Sequence, residues 1–222
     1  MLGASHEVFI TGGTGYLGRH LIPRLLERGY RVRALVREES RSKLPAGCEP
    51  IVGNVLDSQT YREHIAPADT FVHLVGASHP NPLKADEFRK VDLASVEMAA
   101  AAAVAADVRH FVYVSVAQPA PVMKAYVAVR AECEQVIRDS GLNATILRPW
   151  YILGPGHWWP YLIIPFYKIW ERLPATAETA RRLGLVRLPQ MISALVVAVM
   201  APESGVRIWD VTRIRECNLA KV

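Results

Sequence analysis

The chain has 222 residues, a formal net charge of +5 and a pI of about 9.2, with 51% hydrophobic and 21% charged residues. That is the composition of a folded globular protein, long enough for one domain or for one domain and a small appendage. Its basic residues are scattered, without the aromatic-interleaved basic stripe of a nucleic-acid binder, and no apolar run approaches the ~20 residues of a membrane span.

The first elements in the chain are a strand, a glycine turn and a helix. Glu7 to Ile10 is a short apolar run that reads as a buried strand, starting too early to leave room for a signal peptide. Thr11-Gly12-Gly13-Thr14-Gly15-Tyr16-Leu17-Gly18 follows, and then Leu17, Leu21, Leu25 and Leu26 recur at helical spacing up to Gly29. Glycines in such a turn permit positive φ and bring the backbone close to a diphosphate, whose charge the helix start then holds. The segment therefore reads as a dinucleotide-binding turn in either of two registers, Gly13-Gly15-Gly18 or Gly12-Gly15-Gly18.

Arg31 to Val36 alternates as a second strand, and no acid stands at its tip. An NAD site places Asp or Glu there for the ribose hydroxyls, whereas Arg suits a 2′-phosphate. Arg37, assisted by Arg41 and Lys43, favours NADP over NAD; the counter-arguments are Glu38 and a purely surface role for Arg37. Pro50 to Asp57 holds a third strand running into a loop, with Asp57 placed to cap a helix around Ser58 to Ala66. Phe71 to Ala77 is a fourth strand ending in small residues, with His73 a satisfied core histidine and His79 a better-exposed substrate contact in the loop beyond. Glu87 to Val108 is a long alanine-rich helix, His110 to Ser115 a fifth strand and Ala144 to Pro149 another. Strands alternating with helices predict an α/β fold, a doubly wound parallel sheet with the ligand at the strands' carboxyl ends.

The chain's motifs, in order, resemble the extended and atypical short-chain dehydrogenase/reductases. They are the glycine turn after Thr11, Ser115 at a strand end, Tyr126 with Arg130 four residues on, and Leu147-Arg148-Pro149. The resemblance runs from about Glu7 to Pro155 and implies a Rossmann domain over residues 1–155 with a small lid or substrate portion over 156–222, packed as one unit. It also implies cofactor contacts from Gly12, Thr14, Gly15, Tyr16, Leu17, Gly18, Arg37, Asn54, Val55, Val75, Gly76 and Pro149. Asn54 stands where the family usually has an acid for the adenine amino group. In the family's Tyr-x-x-x-Lys pair, Tyr exchanges the proton, Lys assists it and holds the ribose, and a Ser polarises the substrate oxygen. Here those roles fall to Tyr126, Arg130 and Ser115, with Arg130 in place of lysine, a change of bulk and fork geometry at constant charge.

Residues 157–170 carry seven rings counting His157, and are expected to form a lid or an apolar pocket, ahead of a membrane-surface role. Leu188 to Met200 reads as an apolar helix and Val206 to Val211 as a late strand. Cys48, Cys133 and Cys217 have neither metal nor disulfide spacing and suit a reducing cytoplasm. Two functions are expected: an NADP-dependent oxidoreductase or epimerase-like enzyme on a small apolar carbonyl or quinone-like substrate, or a non-catalytic dinucleotide sensor or accessory subunit. The resemblance also implies a homodimer through the Tyr126 helix and the long alanine helix.

Overall fold

The computed structural model describes residues 6–76, 85–120, 122–155 and 183–217. Strands β1 (Glu7–Thr11), β2 (Arg31–Val36), β3 (Glu49–Val52), β4 (Thr70–His73), β5 (His110–Val114) and β6 (Ala144–Leu147) form one sheet with β9 (Val206–Trp209). Between β6 and β9 in the chain, β7 (Tyr151–Leu153) and β8 (Leu185–Arg187) pair as a separate two-stranded ribbon. The seven-stranded order is β3-β2-β1-β4-β5-β6-β9, parallel throughout. The order reverses between β1 and β4, which opens a crevice at the strands' carboxyl ends.

Each sheet face has its own core, as strands buried on both sides require. On one face α1 (Gly18–Leu26) and α5 (Leu188–Met200) bury Leu21, Ile22, Leu25, Leu195 and Val196 against Val8, Ile10 and Val112. On the other lie α2 (Ala85–Glu87), continuing through a π-helical turn (Phe88–Leu93) into α3 (Ala94–Ala105), and α4 (Lys124–Asp139). There Phe9, Phe71, Phe111, Phe88 and Ile137 meet the alanines of α3, whose short side chains let the helix lie close to the sheet. A last helix, α6 (Val211–Glu216), is capped by the Asp210 side chain, which accepts from Arg213 N–H.

Three expectations change. Asp57 does act as a cap, accepting from Gln59 N–H, but the segment after it forms two short 3₁₀ turns, Ser58–Thr60 and Arg62–His64, instead of one helix. The fourth strand stops at His73, so Leu74, Val75 and Gly76 form a loop against the glycine turn. Residues 185–217, expected in the C-terminal substrate portion, complete the sheet through β9 and cover one face through α5. The aromatic segment 157–170 and His79 lie outside the described residues. No helix among the described residues is long and apolar enough to cross a membrane, and no acidic, His and Cys cluster there can hold a metal ion.

Candidate functional site

The glycine turn is folded on itself. Gly12 has φ of +76°, and a Cβ on it would lie 2.9 Å from the Leu74 carbonyl carbon. Gly15 N–H donates to the Gly12 carbonyl at 3.0 Å, while a Cβ on Gly18 would lie 2.5 Å from that same oxygen. Gly12, Gly15 and Gly18 thus make the turn, the wider of the two registers. No side chain caps the start of α1, where Arg19 N–H donates to the Gly15 carbonyl and His20 N–H to the Leu17 carbonyl, both at 3.1 Å, and the helix dipole points its positive end at the turn.

A cavity of about 390 Å³ runs across the strand ends beside this turn. Gly12, Thr14, Gly15, Arg37, Asn54, Val55, Val75 and Gly76 all line it. Tyr16, Leu17, Gly18 and Pro149 do not. Tyr16 has Arg19 over its ring, Leu17 packs on the core, Gly18 sits behind the turn, and the Pro149 carbonyl accepts from Ala117 N–H. The wall of backbone and small residues, together with the uncapped helix start, fits an extended anionic dinucleotide. One end of the cavity is polar: Arg37, with its side chain 74% exposed, pairs with Glu39 at 3.3 Å, and buried Ser40 lines the wall beneath. Asn54 Oδ1 accepts from Leu56 N–H at 3.1 Å, a short turn that orients Val55 and Leu56 along the rim.

At the other end, Gly76 and Val91 close the cavity, and a buried ion pair stands directly behind them. Arg130 Nη2 donates to Asp92 Oδ1 at 2.8 Å, and Nη1 donates to the Tyr113 hydroxyl and the Val114 carbonyl, both at 2.9 Å. A Cβ on Gly76 would fall 2.8 Å from Asp92 Oδ1 and closer still to Arg130 Nη2, so only glycine fits there. Burial alone pulls the guanidinium pKa down; the Tyr113 and Tyr126 phenols and the Asp92 carboxylate outweigh it and hold Arg130 charged. Tyr126 and Arg130 do share a helix face, with the Arg130 Cζ 5.2 Å from the Tyr126 ring centre, and Phe88 meets that ring edge-on at 5.1 Å. The guanidinium stacks on the ring and turns inward, so its hydrogen bonds go to Asp92, Tyr113 and Val114.

Ser115 sits differently from the role expected of it. The residue is 4% exposed, and its hydroxyl donates at 2.6 Å to Glu134 Oε1, one turn after Arg130 on α4. The same buried carboxylate receives Arg148 Nε at 2.9 Å and Nη2 at 2.5 Å, Gln118 at 2.7 Å and Arg138 at 3.0 Å. Burial opposes its charge; the hydrogen bonds from Arg148 and Ser115 prevail and hold its pKa below the usual carboxylate range. The Leu147-Arg148-Pro149 motif therefore contributes a fork that ties β6 to α4. His73 is a core histidine, bonded to Thr11 Oγ1 at 2.8 Å and Ser95 Oγ at 3.2 Å, and burial pulls its pKa down to about 3.

Sequence reasoning passed over Ser40, Val91, Asp92, Tyr113 and Glu134. Two of these carry a readable signal: Glu134 follows Arg130 at i+4 on the same helix face, and Asp92 is an acid set between the apolar Val91 and Leu93.

Comparison with known proteins agrees with this geometry. The NAD(P)H-binding family model matches residues 12–155. The chain is 33% identical over 170 residues to the 4-hydroxy-2-methyl-3-oxo-4-farnesyl-3,4-dihydroquinoline-1-oxide ketoreductase of Stigmatella aurantiaca, covering 67% of this chain and 51% of that protein. It is 29% identical over 209 residues to the ceramide reductase of Caulobacter vibrioides, covering 93% of this chain and 65% of that one. The chain thus spans between half and two thirds of the length of these relatives. The fold matches the Bordetella bronchiseptica enzyme WbmH in complex with NAD+ at a TM-score of 0.70 and 21% identity, over 93% of this chain and 76% of that one. The chain belongs to the NAD(P)H-binding family.

Proposed function

We propose that this chain is an NADP(H)-dependent reductase of apolar carbonyl compounds. The observation that carries the reading is the single cavity that runs from the Arg37 and Ser40 rim, past the glycine turn, to the wall backed by Arg130. The cofactor supplies a hydride to a carbonyl carbon. Arg37 and Ser40 hold a 2′-phosphate, the glycine turn and the start of α1 hold the diphosphate, and Asn54 with Val55 borders the adenine. Tyr126 gives its phenolic proton to the developing alkoxide. Arg130 supports the Tyr126 ring, and Ser115 acts through Glu134 to fix the end of β5.

Apolar substrates are favoured by the two reductase relatives, one named for a farnesyl-bearing ketone and the other for a ceramide. Free cysteines at 48, 133 and 217 support a reducing, cytoplasmic setting. A second reading, a dinucleotide-binding protein without turnover, is favoured by one feature: the Arg130 hydrogen bonds are spent on Asp92, Tyr113 and Val114.

The test is NADPH oxidation with a graded series of ketones, from short aliphatic chains to isoprenoid ones. Specificity (kcat/KM) is expected to rise with chain length, by roughly threefold or more per buried methylene. Turnover that ignores chain length overturns the apolar assignment, and no turnover across the series favours the binding protein.

A further inference from the structure

We infer that Asp92 sets the balance between oxidised and reduced dinucleotide by cancelling the Arg130 charge behind the inner wall of the cavity. The inference rests on the reading above, in which the cofactor lies along this cavity. With the adenine half at the tip of β2 and the diphosphate at the glycine turn, the nicotinamide half extends toward Gly76 and Val91. Those two residues are the partition between the cavity and the ion pair, and the missing Cβ at Gly76 is what lets the pair stand so close.

The nicotinamide ring carries a positive charge when oxidised and none when reduced. A lone buried guanidinium beside it penalises only the oxidised form. The penalty is large here because Asp92 is fully buried and the Arg130 side chain only 6% exposed, so water screens little. With Asp92 in place the pair has no net charge, and the two forms are treated more evenly.

Three of the titratable groups packed around the pair carry no charge at neutral pH, and the charged Glu134 one turn along α4 is taken up by Arg148, Arg138 and Ser115. His73 on β4 is held neutral by burial, with its pKa down at about 3. Tyr113 on β5 is pushed up by burial, and the Cys133 thiol on α4 is pushed up to about 11 for the same reason. His73, Tyr113 and Cys133 therefore add no charge beside the Asp92–Arg130 pair. The reach of a charge through a thin backbone wall is what makes Asp92 a positioning and tuning residue without direct contact with the cofactor.

The test is a pair of binding titrations, NADP+ and NADPH, on the full chain and on Asp92→Asn and Arg130→Gln. Asp92→Asn keeps an oxygen to accept from Arg130 and removes the charge. The preference for NADPH over NADP+ is expected to rise about fivefold in Asp92→Asn. Arg130→Gln leaves the carboxylate uncompensated and is expected to move the preference the opposite way. A cleft that is merely loosened weakens both nucleotides together and leaves the ratio alone. Shifts of opposite sign support the inference; an unchanged ratio in Asp92→Asn, or shifts of the same sign, overturn it. Where Arg130→Gln fails to fold, Asp92→Glu keeps the charge and is expected to hold the wild-type ratio, and an equal shift in Asp92→Glu and Asp92→Asn overturns the inference. Binding of neither nucleotide by the unmodified chain overturns the dinucleotide reading itself and takes this inference with it.

Discussion

Tyr126→Phe is expected to lower turnover by roughly a hundredfold to ten-thousandfold while leaving NADPH affinity within about twofold. The substitution removes one hydroxyl and little else. The ring keeps its edge-on contact with Phe88 and its place under the Arg130 guanidinium, so helix α4 and the wall behind Gly76 stay as they are. The hydride donor is held elsewhere, by the glycine turn and the Arg37 rim, so binding is spared. In free-energy terms the loss is about 3 to 5 kcal/mol of transition-state stabilisation. Steady-state kinetics on the best ketone, with nucleotide binding measured separately, decides it. A variant as active as the parent assigns the proton to another donor. A variant that loses nucleotide binding along with turnover makes Tyr126 a structural ring.

The second large effect falls on stability. Glu134→Ala is expected to cost about 3 kcal/mol, a drop of about 10 °C in Tm for a chain of this size. One carboxylate, 1% exposed, accepts from Ser115, Gln118, Arg138 and both faces of the Arg148 fork, and so joins β5, α4 and the segment after β6. Its loss leaves the Arg148 charge without its partner in a mostly buried setting, and the 23% exposure of that side chain keeps the cost at the lower end of the usual range. Glu134→Gln retains the acceptor and is expected to lose less. The contribution also has a pH signature. Because the folded carboxyl has a depressed pKa, its stabilisation is complete above the ordinary carboxylate range and is lost as pH falls through that range toward the folded value. Urea unfolding of the parent and the alanine variant at neutral and acid pH checks both points. The two are expected to converge in acid, and equal stability at neutral pH would show the network to be worth nothing net.

The sequence makes the fold legible because the signals are local and agree with one another. Arg31 to Val36 alternates with period two and is the strand observed; Leu188 to Met200 is the largely apolar helix observed. Glycines at 12 and 18 announce their turn because a Cβ at either would fall within 3 Å of backbone atoms. The site is less legible because its partners are brought together by the sheet. Asp92 and Arg130 are 38 residues apart, and only the packing of the π-helical turn on α4 makes them a pair. Ser115 reads as a substrate contact from its place at a strand end, but the side chain takes the buried direction because Glu134 lies one helical turn beyond Arg130. Spacing along α4 shows that Tyr126, Arg130 and Glu134 share a face; which partner each one meets depends on β5 and the turn before α3.

The measurement that tests the whole account most directly is titration of the purified chain with NADPH and with NADH, followed by nicotinamide fluorescence. Saturable binding of both, at least about tenfold tighter for NADPH, is the predicted result, since Arg37 and Ser40 then engage the 2′-phosphate. A preference for NADH contradicts the Arg37 assignment, and binding of neither contradicts the assignment of this cavity to a dinucleotide.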